Sequence, residues 1–325
     1  MFQLNHYFFL NLKSNYSRKT FKLHKSNFAL NFNYLIINSL KIKITGISGY
    51  LGQQISHRLT ENGHQVSGIS RELLYGNSKN LAEEIKNTDV IINLAGSTIL
   101  QRWTEKNKAK VYNSRVKTTQ NLVWSIKKLS PEQYPRKFIS ASAIGIYQPG
   151  ELHNEKSQKF EQGFIGKVVL NWEDSVMQLP DSIQKIIFRI GPVLGKQSKT
   201  ITNLLLPFKL GLGATIGNGA QPFPFIHEED VSNAFVWAVE KYLESDTFNL
   251  VAPERITNKI FTKELAKQLH RPAFLAIPGF ILRLLYGKAY VLLTKSPEVE
   301  PQKLLKAGYR FEFPTIDATL KNILA

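Results

Sequence analysis

A glycine-rich turn between an apolar strand and a helix constrains the fold of this chain more than any other feature. Residues 41–45 predict a buried strand, residues 46–52 (GISGYLG) a turn, and residues 51–62 a helix that ends at Gly63. A second strand is predicted at residues 66–70. Glycines permit the tight turn and let the backbone approach a pyrophosphate, whose charge the free N–H groups of the helix can bind. The segment therefore predicts a βαβ unit that binds a dinucleotide.

The residues at the end of the second predicted strand indicate which nicotinamide cofactor is bound. An NAD site usually has Asp or Glu here, which binds the ribose 2′-hydroxyl, whereas this chain has Ser70 followed by Arg71. Serine does not repel a 2′-phosphate, and a guanidinium can pair with it through two hydrogen bonds. We therefore predict NADP(H) rather than NAD(H). The alternative is an exposed Arg71 with Glu72 as the ribose-binding acid.

Later segments add small residues to the same predicted crevice. Residues 89–96 (DVIINLAG) predict an apolar strand with small side chains at its carboxyl end, where a ligand needs room. A helix is predicted at 104–128, and strands at 137–140 and 186–190. Arg115, on that helix, pairs either with an anionic group of the substrate or with a surface carboxylate. The predicted cofactor-binding residues are Gly46, Ser48, Gly49, Tyr50, Leu51, Gly52, Ser70, Arg71, Leu94, Ala95, Gly96, Arg115, Ser140, Ala141 and Gly191.

Composition excludes several classes of site. The 325 residues contain no cysteine, which excludes disulfides, thiolate metal sites and cysteine nucleophiles. The seven histidines are scattered, and we predict no metal site. Lys and Arg (42) exceed Asp and Glu (25) and give a net charge of +17, but most basic residues are spread over helical patterns as on a solvated face. We expect no specific nucleic-acid partner; a polyanion-binding protein is the weakest of our hypotheses.

Two segments bear on location. Residues 1–39 show neither strand nor helical periodicity, and we interpret them as upstream sequence outside the fold, with an organelle transit peptide as the alternative. No apolar stretch reaches the roughly 18–20 residues of a membrane span. The apolar residues 280–293 could dock on a membrane surface, but we expect them to pack on the cofactor-binding domain. We predict a cytoplasmic protein, monomeric or homodimeric.

Ordered motifs along the chain resemble a known family. TGISGYLG, DVIINLAG, SASAIGIY, RIGPVLG and PFIHEEDV resemble the extended short-chain dehydrogenase/reductase superfamily, in its NAD-dependent epimerase/dehydratase branch. The tail motifs HRPAFLAIPGFILRLLYG and PQKLLKAGYRFEFPTIDATLKNIL are similar to those of YfcH-like epimerase family proteins, which end in a small domain of uncharacterised role.

The resemblance implies the architecture. The expected fold is α/β, a Rossmann-type doubly wound parallel sheet with a smaller C-terminal α/β substrate lobe. It implies a cofactor-binding domain at residues 40–265, with substrate-lobe segments from about residue 191, and a small domain at 266–325. Within the tail, helices are predicted at 301–307 and 316–324, with a short strand at 311–313 between them.

The resemblance also shows a departure at the expected active site. Active members use a Ser or Thr, a Tyr-x-x-x-Lys pair and the nicotinamide, with the tyrosine as acid/base and the lysine lowering its pKa. Ser142 occupies the serine position, but Phe164 and Val168 occupy those of the tyrosine and lysine. The usual pair is therefore absent. The remaining candidate catalytic residues are Ser142, Tyr147, Lys167 and His227.

Each of these candidates except Ser142 has a plain structural alternative. Lys167 lies one position before the lysine position and is expected to be a surface residue, while Tyr147 is expected to be a packed aromatic. His227 either contacts a ligand or caps the helix predicted from residue 231, for which Asp230 is the expected N-cap.

Two functional hypotheses follow. The first is an NADP(H)-binding epimerase- or oxidoreductase-like enzyme with an atypical active site, acting on a small molecule that the sequence does not identify. The second is a non-catalytic NADP(H)-binding regulatory or scaffold protein.

Overall fold

A six-stranded parallel sheet forms the centre of the protein in our computed structural model, which describes residues 39–325. The prediction for the first 39 residues lies, but for Ser39, outside the described residues. The strands are β1 (Lys41–Thr45), β2 (Gln65–Ile69), β3 (Val90–Asn93), β4 (Lys137–Ala143), β5 (Leu152–His153), β6 (Gln184–Ile190), β7 (Val193–Leu194), β8 (Ala214–Ile216), β9 (Ile226–His227), β10 (Asp246–Leu250), β11 (Leu275–Ile277) and β12 (Glu298–Val299). The central sheet has the strand order β10-β6-β4-β3-β1-β2, and all its pairings are parallel.

Helices cover both faces of the sheet, and the short strands pair outside it. We number the helices along the described residues. They are α1 (Tyr50–Glu61), α2 (Arg71–Tyr75), α3 (Ser78–Ile85), α4 (Glu105–Tyr112), α5 (Thr118–Ile126), α6 (Phe164–Met177), α7 (Lys199–Lys209), α8 (Glu228–Glu240), α9 (Asn258–Gln268), α10 (Gly279–Tyr286), α11 (Val291–Thr294), α12 (Gln302–Lys306) and α13 (Ile316–Leu324).

The continuous apolar runs in the sequence are explained by burial on both faces of the sheet. Ile42 and Ile44 of β1 pack against α1 and α8, whereas Ile91 of β3 packs with α3 and α5 on the opposite face. Strands buried in this way carry apolar residues at successive positions instead of alternating ones. The predicted α/β Rossmann-type fold is confirmed.

The strand order reverses beside β1, which places a ligand crevice at its carboxyl end. The chain runs from β1 outward to β2 on one side and then returns to β3 on the other. Helices on opposite faces therefore diverge above this point, and a crevice opens between the loops that follow the two strands. The glycine-rich turn after β1 and the small residues after β3 both lie there.

Several predicted boundaries shift, two of them beside the predicted cofactor crevice. The second strand ends at Ile69, because the Ser70 hydroxyl accepts the N–H of Leu73 and caps α2. The predicted helix 104–128 is observed from Glu105 to Ile126, but its middle, Asn113–Lys117, is a π-helical turn between α4 and α5. Such turns are uncommon and occur frequently at functional sites.

The prediction of Asp230 as an N-cap is wrong, and the strand predicted at 311–313 is absent. Both differences arise from the hydrogen bonds that the Asp230 carboxylate makes. The helix begins three residues earlier, at Glu228, with His227 as its N-cap. Asp230 instead lies buried in the first turn, where its carboxylate accepts the N–H groups of Glu312 and Phe313. These two N–H groups, which a neighbouring strand would otherwise bind, are thus bound by a side chain.

The expectation that residues 280–293 pack on the domain holds only in part. Of the apolar side chains of α10, Leu282 is buried, whereas Phe280 and Leu284 are 72% and 71% exposed. Among residues 39–325, no helix has the length and apolar character needed to cross a membrane.

Candidate cofactor cleft

A cleft of about 470 Å³ opens where β1, β2 and β3 end. Six of the residues predicted to bind the cofactor line it: Gly46, Ser48, Ser70, Arg71, Ala95 and Gly96. The other lining residues are not among those that the sequence predicts: Ile47, Gly68, Ile69, Leu74, Tyr75, Ser97, Lys110, Ser114 and Thr118. Among all the lining side chains, Arg71 and Lys110 are cationic and none is acidic.

The glycine turn has the geometry that the sequence predicts. Gly46 has φ +70°, a conformation that non-glycine residues rarely adopt, and its carbonyl accepts the N–H of Gly49 at 2.9 Å. A Cβ on Gly52 would lie only 2.2 Å from the Gly46 oxygen, so a larger residue would push α1 away from the turn. The first N–H groups of α1, at Tyr50 and Leu51, have no acceptor within the helix and can bind phosphate oxygens.

The side chain of Tyr50 does not line the cleft. Its hydroxyl donates a hydrogen bond to the carboxylate of Glu228 at the start of α8, and Glu228 also accepts the N–H of Lys196 at 3.0 Å. Burial and the Glu228 carboxylate raise the pKa of Tyr50, so the hydroxyl stays protonated. Tyr50 thus joins the glycine turn to the segment after β7 through its side chain, and only its backbone faces the phosphate position.

The loop after β3 is fixed by buried side chains of its neighbours. The hydroxyl of Thr45 accepts the N–H groups of Leu94 and Ala95, both at 3.0 Å, and donates to the side chain of Asn93 at 2.8 Å. Asn93 in turn donates to Ser140 at 3.2 Å. Ser140 and Ala141 are therefore packed beneath the cleft: Ser140 takes part in this network, and Ala141 lies against Trp172.

The two residues predicted as alternatives for the ribose, Arg71 and Glu72, differ in their position relative to the cleft. Arg71 lines the cleft, with its guanidinium carbon 5.6 Å from the centre of the Tyr75 ring. The exposed Glu72 does not line it. Its own backbone N–H and the neighbouring Ser70 hydroxyl lower the pKa of the Glu72 carboxyl. Both side chains are exposed, and Arg71 is the one that lines the cleft.

Arg115 is a partly buried cation beside the small-residue loop. It belongs to the π-helical turn, donates to the Ser97 carbonyl at 3.0 Å and lies 5.6 Å from the centre of the Trp172 ring. A Cβ on Gly96 would be 3.0 Å from its guanidinium carbon. In the described part of the chain no carboxylate lies within 4.0 Å of it, and burial lowers its pKa to about 10. The pairing with a surface carboxylate is thus not observed, and the guanidinium lacks a counter-charge.

Ser142 and Tyr147 belong to one buried polar network. Glu173 of α6 accepts hydrogen bonds from the Ser142 hydroxyl and, at 2.9 and 2.7 Å, from two nitrogens of Arg189. The third Arg189 nitrogen donates to the Tyr147 hydroxyl at 2.8 Å, and this hydroxyl donates to Asn249 at 2.8 Å. Burial alone would lower the pKa of Arg189, but the bond and charge of Glu173 raise it, so Arg189 stays cationic. Both hydroxyls are therefore engaged within the protein.

The positions of the missing pair are filled by apolar packing. Phe164 starts α6 and lies edge-on to Trp103, with ring centres 5.2 Å apart, while Val168 is buried one turn later. Lys167 is exposed on another side of this helix. The structure therefore does not bring Lys167 together with Ser142.

The remaining predicted residues, Gly191 and His227, are buried and do not line the cleft. Gly191 is required by close packing, since a Cβ there would lie 2.2 Å from the Pro224 oxygen. His227 is buried: its Nδ1 accepts the N–H of Glu229 at 3.0 Å, its Nε2 contacts the Asn322 side-chain oxygen at 3.0 Å, and its ring stacks on Phe313. The structure thus places His227 at a helix cap and not in the cleft.

This cap predicts a pH dependence of stability. Burial lowers the pKa of His227 below its ordinary value of 6.5, so unfolding takes up a proton below that pH. The contribution to the free energy of unfolding is fully present above about pH 6.5 and decreases as the pH falls. His227→Asn keeps a capping oxygen but does not titrate, so its urea midpoint should change less between about pH 7.5 and 5.5. An equally steep change in the variant would contradict this assignment, whatever its absolute stability.

Metal ligands are not gathered anywhere in residues 39–325, where no group of three or more His, Asp or Glu side chains could hold an ion. The candidate site is therefore the cleft with its two cations, bordered by Arg115 and supported by the buried network.

Comparison with known proteins identifies the same two regions as the sequence motifs. Residues 42–251 match the model of the NAD dependent epimerase/dehydratase family, and residues 277–323 match a domain of unknown function, DUF1731. The chain is 32% identical over 295 residues to the epimerase family protein SDR39U1 of Homo sapiens, covering 88% of this chain and 100% of that protein. It is also 32% identical over 301 residues to the epimerase family protein YfhF of Bacillus subtilis, covering 88% and 98%.

A solved structure extends the similarity to three dimensions. The crystal structure of human SDR39U1 (isoform 2) with NADPH superposes with a TM-score of 0.81 at 32% identity, covering 87% of this chain and 99% of that one. The family resemblance inferred from the motifs is thereby confirmed, including its C-terminal domain. The chain belongs to the NAD dependent epimerase/dehydratase family.

Proposed function

We propose that the chain binds NADP(H) in the cleft after β1 and acts as an epimerase- or oxidoreductase-like enzyme on a small molecule. The observation that carries the proposal is the charge of the cleft: Arg71 and Lys110 line it beside the glycine turn, without a carboxylate. A 2′-phosphate adds negative charge that a cation binds and that a ribose-binding acid would repel. The relative crystallised with NADPH, human SDR39U1, supports this choice of cofactor.

The residues of the chain would divide the work of binding as follows. The backbone of the glycine turn and the start of α1 hold the pyrophosphate, and Arg71 holds the 2′-phosphate. The loop after β3, kept in place by Thr45, leaves room for the cofactor. Arg115, which lacks a counter-charge, binds an anionic group of the cofactor or the substrate. The bound nicotinamide supplies or accepts a hydride.

The Tyr-x-x-x-Lys pair that usually transfers the proton in this family is absent from its expected position in the sequence. Phe164 and Val168 cannot exchange a proton. Among the four candidates, Ser142 is the one at the carboxyl end of a central strand, and its hydroxyl is bonded to the Glu173 carboxylate. We therefore keep Ser142 as the candidate catalytic residue.

A non-catalytic NADP(H)-binding protein is the second candidate. It is favoured by the engagement of the Ser142 and Tyr147 hydroxyls in the network around Arg189, which leaves neither free for a substrate. A protein of this kind would respond to the cofactor by binding alone.

Titration of the full chain with NADPH and NADH, followed by cofactor fluorescence, tests the first step. We expect NADPH to bind more tightly, and then to be oxidised in the presence of some member of a panel of carbonyl compounds. Loss of turnover in Ser142→Ala with unchanged NADPH affinity would support the enzyme. Binding without oxidation would favour the second candidate, and binding of neither nucleotide would refute both.

A further inference from the structure

An exposed apolar face extends over two neighbouring parts of the C-terminal half. Three of its side chains are far more exposed than is usual for their type: Phe274 at 85%, Phe280 at 72% and Leu284 at 71%. The two parts are adjacent, because β8 pairs with β11 and the Arg271 side chain donates to the Lys209 carbonyl at 3.0 Å. We define the apolar face by the exposed side chains of Leu206, Leu210, Leu212, Phe274, Leu275, Phe280 and Leu284.

The two segments that contain the apolar face are basic. Residues 182–227 and 265–297 include no Asp or Glu. Acids from outside these segments interact with some of their lysines: Glu105 with Lys288, and Glu264 with Lys267. The two segments carry exposed basic residues next to the apolar ones, among them Lys209, Arg271 and Arg283. None of these three has an ion-pair partner within residues 39–325. Apolar side chains beside unpaired cations are complementary to a surface that is apolar beneath and anionic above.

We propose that the apolar face docks on an anionic phospholipid membrane surface. Phe274, Phe280 and Leu284 would enter the boundary between headgroups and acyl chains, and Lys209, Arg271 and Arg283 would contact lipid phosphates. This is the arrangement by which amphipathic helices bind in the plane of a membrane, where buried apolar area and basic charge both contribute.

Charge argues against a second copy of the chain as the occupant. In a two-fold symmetric dimer the same patch meets itself, so the cations of one copy would face those of the other. With no carboxylate in either segment, like charges would be brought together without compensation. An anionic lipid surface removes this repulsion.

Helix α10, which carries Phe280 and Leu284, is hydrogen-bonded to the segment that follows the cleft-lining residues Gly96 and Ser97. The Arg102 guanidinium donates to the carbonyls of Leu284 and Leu285 at the end of α10, and Leu282 is buried beneath the helix. Arg102 belongs to the segment after Gly96 and Ser97, which line the cleft. The helix is therefore held against this segment with Phe280 and Leu284 exposed, and docking would place the membrane beside it.

Sedimentation of the full chain with vesicles tests the proposal. We expect binding to vesicles of phosphatidylcholine with phosphatidylserine, and weaker binding to phosphatidylcholine alone. The double variant Phe280→Asp/Leu284→Asp should weaken binding at least about tenfold, since two apolar contacts become like-charged with the lipid. Tyr242→Asp is the matched control, because Tyr242 is 89% exposed but lies outside the apolar face. It should bind as the unaltered chain does, and all variants should retain nucleotide binding.

A second variant tests the charges. Arg283→Glu should lower the preference for phosphatidylserine without the loss on phosphatidylcholine that the double variant shows. No binding to either vesicle would overturn the proposal, as would equal loss in Tyr242→Asp. A dimer that forms without lipid and dissociates in Phe280→Asp/Leu284→Asp would overturn it in favour of self-association.

Discussion

Replacing Arg189 with methionine should lower the free energy of unfolding by about 3–5 kcal/mol, the cost of leaving a buried charge without its partner. Arg189 and Glu173 are both nearly buried and are joined by two hydrogen bonds. Without the guanidinium, the Glu173 carboxylate keeps only the Ser142 hydroxyl as a partner among the described residues, and Tyr147 loses a donor. Urea unfolding followed by tryptophan fluorescence measures the change.

The double variant Glu173→Leu/Arg189→Met is the control for this argument. With both charges removed, no unpaired ion stays behind, so the double variant should be more stable than Arg189→Met alone. Two independent losses that simply add would show that the pair is not the source of the effect. A loss below about 1 kcal/mol in Arg189→Met would place the pair in a solvated environment, against the burial seen here.

The central sheet and the cofactor turn could be predicted because their signals are local. The βαβ unit is determined by glycines within seven residues and by apolar runs that only a doubly covered sheet explains. Gly46, with its positive φ, and Gly52, with no room for a Cβ, show why these positions need glycine. Ser70 and Arg71 were found in the same way, from their distance along the chain.

The buried network could not be predicted because its partners are far apart in sequence. Tyr147 and Asn249 are separated by 102 residues, and Ser142 and Glu173 by 31. A weaker signal was present for one partner: Arg189 is a charged residue within an apolar segment, and such residues are commonly paired when buried.

Dependence on contacts that are distant in sequence also explains two other errors, the N-cap of α8 and the omission of Lys110 from the cleft. His227 and Asp230 are both plausible caps by residue type, and the choice depended on Glu312 and Phe313, more than 80 residues later. Lys110 was missed because α4 carries three lysines and only one of them lines the cleft. In so polar a helix, tertiary packing and not the sequence periodicity decides which lysine that is.

Arg71→Glu should weaken NADPH binding about 100-fold, or about 3 kcal/mol, and leave NADH affinity within about threefold. The guanidinium lines the cleft and has no carboxylate partner in the part of the chain that the structure describes, so its charge is available to a 2′-phosphate. Glutamate in its place removes a charge-assisted pair and adds repulsion, but it can still bind a ribose hydroxyl. Fluorescence titration of both nucleotides against the unaltered and variant chains gives the ratio directly.

Arg136→Glu separates this local effect from a change in overall charge. Arg136 is 79% exposed, immediately precedes β4 at the opposite end of the sheet from the cleft, and lies 3.6 Å from the Asp89 carboxylate. Its replacement breaks that pair, far from the cleft, and alters the net charge by the same amount. If long-range attraction by the basic protein governed NADPH binding, the two variants would lose affinity alike, and more so at low salt. If the contact is local, only Arg71→Glu changes the NADPH/NADH ratio. An unchanged ratio in Arg71→Glu would assign the 2′-phosphate to the other cation that lines the cleft, Lys110.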